Sequence, residues 1–168
     1  MRGKKYWLMA GLMMGAVLTT PVWAQDEPIR GGTLMVGLAD DPPELDPHLT
    51  SSNAARTVLH NIFATLVEID EELQVVPGIA HSWDISEDGK SFTFYIREGV
   101  LFHDGTPLDA EAVKYNFERM TDKEFGSARA GELAFVETVT VDDPLTVTVT
   151  LSQPYGGFLP ARASWSGM

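Results

Sequence analysis

Four histidines, His48, His60, His81 and His103, and the acids that crowd two of them are the residues of this sequence whose types could do chemistry. The stretch HSWDISEDGKSFTFYIREGVLFHDG, residues 81–105, holds His81, His103 and five acidic residues. Such a set could ligate a divalent metal through imidazole and carboxylate, or work as a general acid–base pair of carboxylates in unlike surroundings. The spacing for either is missing. No two histidines fall four apart on one helical pattern, and there is no His-Glu-x-x-His. There is also no Gly-x-Ser-x-Gly nucleophile turn and no phosphate-cradling Gly-rich loop. Cysteine is absent altogether, which excludes disulfides, thiolate metal sites and cysteine nucleophiles.

The elements that must position these residues account for most of the polarity. Trp83 and Ile85 alternate with Asp84 and Ser86, and Phe92, Phe94 and Ile96 alternate with Ser91, Thr93, Tyr95 and Arg97. Period two predicts half-buried strands with the apolar set facing inward. Asp88-Gly89, Glu98-Gly99 and Asp104-Gly105 read as turns, so residues 100–102 become a third short strand of a meander. The acids then sit on turns and on the wet face.

The rest of the chain reads in the same way. Residues 33–39 (TLMVGLA) predict a buried strand, and the Pro- and Asp-rich residues 40–47 an ordered loop. Ala55, Val58, Leu59, Ile62, Phe63 and Leu66 form one apolar stripe of an amphipathic helix, with Ser51, Ser52 and Asn53 as possible caps and His60 on the polar face. Residues 66–69 and 73–76 flank an acidic turn. Residues 110–120 predict a helix capped by Asp109, with Val113, Phe117 and Met120 buried. Residues 121–133 read as loop with a short helical turn. Residues 136–141 and 145–151 predict a hairpin whose Leu145, Val147, Val149 and Leu151 face inward.

Residues 1–24 read as a secretory leader: a basic start, a thirteen-residue uncharged run and Val22 and Ala24 before the cut, expected after Ala24. The apolar run is too short to span a bilayer, which needs about 20 residues. Removing it takes three positive charges from a net of −12, leaving −15, a balance that argues against nucleic-acid partners. The expected location is the bacterial periplasm. Residues 159–168 end without a cap or finished strand pattern, so the chain is expected to be an N-terminal portion of something longer.

The order of these pieces resembles a known family. Gly31-Gly32-Thr33-Leu34, Leu45-Asp46-Pro47, residues 62–67 (IFATLV), residues 76–83 (VPGIAHSW), residues 86–100 (SEDGKSFTFYIREGV) and residues 102–111 (FHDGTPLDAE) are similar to the corresponding blocks of periplasmic solute-binding proteins of family 5, the dipeptide, oligopeptide and nickel receptors of ABC importers. The resemblance implies an α/β class fold: a mixed α+β, hairpin-rich subdomain within the two-lobed type II periplasmic-binding-protein fold, incomplete in this chain. It divides the chain into leader (1–24), start of the first lobe (25–80) and small subdomain (81–168).

The resemblance further implies capture rather than catalysis. Solute, expected to be peptide, is buried between lobes and delivered to permease subunits in the membrane with cytoplasmic ATPases, by a receptor that is a monomer at full length. No cofactor, metal or catalytic residue is expected, and no nucleic acid. The expected solute contacts are residues 50–53 (Thr50, Ser51, Ser52 and Asn53), at a helix N-terminus, and Arg162 with Trp165, able to hold a carboxylate and stack on an apolar group. The principal ligand anchors of the family are expected beyond Met168. The alternatives are an exported hydrolase using Asp84, Asp88 or Asp104, and a receptor of the same fold for a nickel chelate or an opine-like solute.

Overall fold

The computed structural model describes residues 31–163; the leader and Trp165 lie outside them. Contacts divide the chain after Val36. In the first unit, residues 31–36 have no regular structure.

The second unit, from Gly37, opens with the 40–47 loop and the helix α1 (Asn53–Leu59). The hairpin β1 (Val67–Ile69) and β2 (Val75–Pro77) follows, then β3 (Ala80–Ile85), β4 (Ser91–Ile96) and the helix α2 (Ala110–Thr121). A single 3-10 turn (Ala130–Leu133) precedes β5 (Val136–Asp143), β6 (Thr146–Leu151) and the four-residue helix α3 (Phe158–Ala161). The main sheet is antiparallel in the order β3-β4-β6-β5. It is therefore not a simple meander: β5 crosses to the far edge after α2, and β6 returns to pair with β4.

Period two does what the sequence predicts on the central strands. Phe92, Phe94 and Ile96 of β4, and Val147, Val149 and Leu151 of β6, are buried beside Ala110, Val113, Phe117 and Met120 of α2. Phe158 closes this core, 4.7 Å from the Phe92 ring and 6.4 Å from Phe117 between centroids. On the other face Thr148 donates to Asp142 at 2.6 Å, so the 2.9 Å contact between the Thr93 and Thr148 hydroxyls takes its proton from Thr93. Asp109 caps α2 through the Ala112 N–H, as expected.

Three expected elements differ. Residues 33–39 form no strand, and no described strand pairs with them. An apolar run becomes a strand only where a neighbour takes its backbone hydrogen bonds. The α1 helix stops at Leu59 rather than running to Leu66. Asn61 folds its side chain onto the Thr57 carbonyl at 2.7 Å, the backbone tightens to three-residue bonds, and Leu66 joins the sheet's core instead. Residues 100–102 make only one bridge, Leu101 to Pro107. Pro107 has no N–H with which to extend a ladder, so the loop closes on itself through Phe102 and Thr106.

Candidate functional site

The chemistry-bearing stretch of residues 81–105 is spent on structure. Asp88 accepts from the Ser86 hydroxyl at 2.6 Å and the Lys90 N–H at 3.1 Å, and these bonds hold its carboxyl below the usual carboxylate range. Asp104 accepts from the hydroxyl and N–H of Thr106, with the same consequence. Asp84 accepts from the Tyr95 hydroxyl at 2.8 Å, which raises the tyrosine's pKa. A carboxyl that must donate a proton near neutral pH needs its pKa raised, usually by burial. Asp88 and Asp104 are exposed and shifted the other way. His81 is exposed and lies over the Tyr95 ring. Among the described residues no three His, Asp or Glu side chains converge as a cation would require. No described helix is long and apolar enough to cross a membrane.

A cluster that sequence reasoning missed lies where the 40–50 loop meets α2. Arg119, in the last turn of α2, forms a two-pronged ion pair with both oxygens of Asp46, and the His48 N–H donates to the same carboxylate at 2.9 Å. Arg119 also donates to His48 Nδ1 at 3.1 Å and lies 4.0 Å over the Phe125 ring. With Nδ1 accepting, the imidazole proton sits on Nε2, which is buried and has no hydrogen-bond partner. The His48 carbonyl takes bonds from Ala128 N–H and the Ser127 hydroxyl, at 3.0 and 2.8 Å. Seventy-three residues separate Asp46 from Arg119, so no local pattern announces the pair.

Both partners of this cluster resist protonation. Burial and then the Arg119 charge push His48 below its ordinary 6.5; Arg162 and Arg129 add to that and Asp46 opposes it. For Asp46, burial raises the pKa, but the Arg119 bond, the His48 N–H and the Arg119 charge outweigh it, so the net shift is downward from 3.8. A folded pKa below the unfolded one means stability that is present above the unfolded value and lost as pH falls through the folded one. Urea midpoints should therefore fall on acidification first below pH 6.5, as unfolded His48 takes up a proton, and again below 3.8. His48→Asn should remove the first step and leave the second; a first step of unchanged size would assign it elsewhere.

The expected contact residues are placed as follows. Thr50 is buried and its hydroxyl accepts from the Ser52 N–H at 3.2 Å. Ser52 caps α1 through the Ala55 N–H at 3.4 Å. Ser51 and Asn53 have exposed side chains. Arg162, just after α3, is 1% exposed; it lies over Phe117 and Phe158 and 3.7 Å from Glu132. Burial lowers its pKa to about 10, and its Nε and Nη2 have no hydrogen-bond partner. Neither segment 50–53 nor Arg162 lines the groove that runs beside α2.

A hollow lies elsewhere. A groove of about 520 Å³ runs between the 45–47 loop, residues 62–66, the 100–103 loop and α2. Its walls are mostly apolar, and Leu45, Ile62, Leu101 and Phe102 stand exposed along it. Of its polar groups, Asp46 pairs with Arg119 and the Asn116 amide donates to the Ala112 carbonyl, while His103 is exposed at the rim.

Residues 74–167, more than half of the chain, match the family described as bacterial extracellular solute-binding proteins, family 5 Middle. The chain belongs to this family. It is 28% identical over 156 residues to the glutathione-binding protein GsiB of Pectobacterium atrosepticum, covering 93% of this chain and 29% of the relative. It is 35% identical over 159 residues to the probable D,D-dipeptide-binding periplasmic protein DdpA of Escherichia coli, covering 90% and 30%. Among solved structures, PBP AgaA from A. tumefacien R10 in complex with agropinic acid superposes with a TM-score of 0.71 at 31% identity, over 75% of this chain and 26% of that one. The chain thus spans less than a third of the length of these relatives. The mixed α/β fold expected from the sequence is shared with PBP AgaA over the matched region.

Proposed function

We propose that this chain supplies part of an extracytoplasmic solute receptor, periplasmic and exported by residues 1–24, that captures peptide-type solute and delivers it to an ABC permease without chemical turnover. The observation that carries this reading is the match of nine-tenths of the chain to two relatives named for glutathione and a D,D-dipeptide. The held-down, exposed carboxylates of Asp88 and Asp104 favour capture over acid–base catalysis. In this proposal residues 25–80 begin the first lobe and residues 81–168 belong to the small subdomain. The agropinic acid complex favours a second reading, an opine-type solute on the same fold.

Calorimetry tests it on the full-length receptor to which this chain is proposed to belong. Heat with dipeptides or tripeptides is expected. Heat only with an opine or a nickel chelate would remove the peptide and keep the receptor; conversion of the ligand would remove the receptor.

Within this reading Ser51 and Asn53 are the polar side chains of segment 50–53 free to meet solute, with Arg162 and Trp165 as the second contact. Arg162 offers a sharp test, because a buried, poorly satisfied guanidinium is a costly way to fill a core. Removing one partner of a buried ion pair costs about 3–5 kcal/mol where the other charge is left alone, but Glu132 also pairs with Arg129. Arg162→Met should therefore weaken solute binding while the melting midpoint changes little. Unchanged affinity would remove Arg162 from the solute contacts.

A further inference from the structure

We propose that His48 is a proton-released clasp: neutral, it fastens the 45–50 loop to α2 and to residues 127–128, and on taking a proton it lets the loop and α1 come away while the main core stays folded. The device belongs to this chain whatever solute the receptor takes. The packing allows this part to open alone. Ala55 and Leu59 of α1 pack with Phe63 in a small cluster of their own, separate from the core that the sheet shares with α2. Beside α2 the apolar packing is interrupted by the groove, and Leu45 and Leu49 are exposed. Polar ties do the fastening, and they meet at two residues. Arg119 pairs with Asp46 and donates to His48 Nδ1, while the His48 carbonyl takes the Ala128 N–H and the Ser127 hydroxyl. Segments with few buried apolar contacts open at lower free energy than the core of the same domain.

The groups that face His48 come from several parts of the chain. Asp46 is on its own loop, Arg119 on α2, Arg129 just before the 3-10 turn and Arg162 just after α3, with the Phe125 ring edge-on at 6.5 Å. Among these charges Asp46 alone is negative, and it is committed to Arg119; Glu132 lies with Arg129 and Arg162. A proton arriving from solvent goes to Nδ1, because Nε2 already carries one. That ends the bond from Arg119, which needs Nδ1 as acceptor, and sets a cation beside an arginine. It also leaves a charged ring in a site where His48 is 0% exposed and Nε2 has no acceptor. Opening returns the imidazolium to water.

The open form takes up its proton at the ordinary 6.5 and the closed form below it. Opening therefore becomes easier as pH falls through 6.5 and levels off below the closed form's value. Asp46 stays ionised in both forms above 3.8, so this step belongs to His48. Amide exchange of the 168-residue chain tests it, comparing the Ala128 N–H, which is bonded to His48, with that of Phe94 in the middle of β4. Between about pH 7.5 and about pH 5 the protection of Ala128 should fall about fivefold or more, while that of Phe94 stays within about twofold. His48→Asn, whose amide oxygen can still accept from Arg119, should hold Ala128 protection level over that range. His60→Asn, at the exposed end of α1, should keep the fall.

Parallel loss at Ala128 and Phe94 would mean that the whole chain opens, and a Phe94 N–H unprotected at the upper pH would mean that no core stays closed. A fall that survives His48→Asn would assign the proton elsewhere, and no fall at all would mean that the ring takes its charge in place. Each of these overturns the proposal. If His48→Asn leaves Ala128 unprotected at both ends of the range, the unsubstituted chain decides. Its His48 ring resonances should titrate in step with the loss at Ala128; titration while Ala128 stays protected would overturn the clasp.

Discussion

Phe94→Ala is expected to cost about 3–5 kcal/mol of unfolding free energy, the range for deleting a large aromatic side chain from a core that cannot collapse around the gap. Phe94 is fully buried in the middle of β4. Its backbone partners are Trp83 on β3 and Val147 on β6, so it stands where the sheet has neighbours on both sides. The inner faces of β4 and β6, with α2 and Phe158, leave no solvent to refill the space. Domains are stable by only about 5–15 kcal/mol, so this single change should remove a large share of the total. Urea unfolding followed by tryptophan fluorescence measures it, with Trp83 as a nearby reporter. Tyr95→Ala, on the opposite face of the same strand, should cost much less, since that side chain is half-buried and loses mainly its bond to Asp84. Equal losses for the two would mean that the alternation of β4 does not define the core.

Gly78→Ala should destabilise by about 3 kcal/mol, at the upper end of what overpacking costs, because the obstruction is backbone. A Cβ at Gly78 would lie 2.5 Å from the Thr65 carbonyl oxygen and 3.1 Å from both the Leu66 oxygen and the Val67 Cα. Those two carbonyls are held in place by the chain that follows: Ile79 N–H donates to Thr65 and Ala80 N–H to Leu66, at 3.0 and 2.8 Å. The Gly78 carbonyl itself accepts from Arg97 Nε at 2.7 Å. Relief therefore requires breaking the joint between the β1–β2 hairpin and β3, not turning a side chain. The Gly78 φ is not in the left-handed region, so close approach rather than backbone freedom demands glycine here. Gly131→Ala, where a Cβ meets nothing within 4 Å, is the control. A melting midpoint for Gly78→Ala that matches the control would show that the hairpin slides freely.

How much of this was legible in the residues follows from the range of the interactions. Period two on residues 91–96 and 146–151, the Asp109 cap and the glycine turns are local: each depends on side chains a few positions apart and on backbone geometry that those residues prefer. They emerge in the structure as β4, β6, α2 and the turns between them. The family likeness rests on the same local blocks. The misses share the opposite property. The 33–39 run has strand composition, but pairing is a property of two segments, and none of the described strands takes it. The apolar stripe from Ala55 to Leu66 is continuous as a pattern, yet Leu66 goes to the sheet's core and α1 ends seven positions earlier, at Leu59.

The candidate site divides along the same line. The residues alone determined that the acids of the 81–105 stretch, Asp84 on β3 apart, belong to turns, because Asp followed by Gly or by a hydroxyl residue two positions on bonds its own backbone. Only the tertiary structure decided that Arg119 meets Asp46 and His48 across about seventy residues, that Arg162 lies buried beside Phe117 and Phe158, and that an apolar groove stays open beside α2. Charge pairing, burial and the shape of a cavity depend on which distant segments pack together, and that is settled by the whole core rather than by the residues on either side.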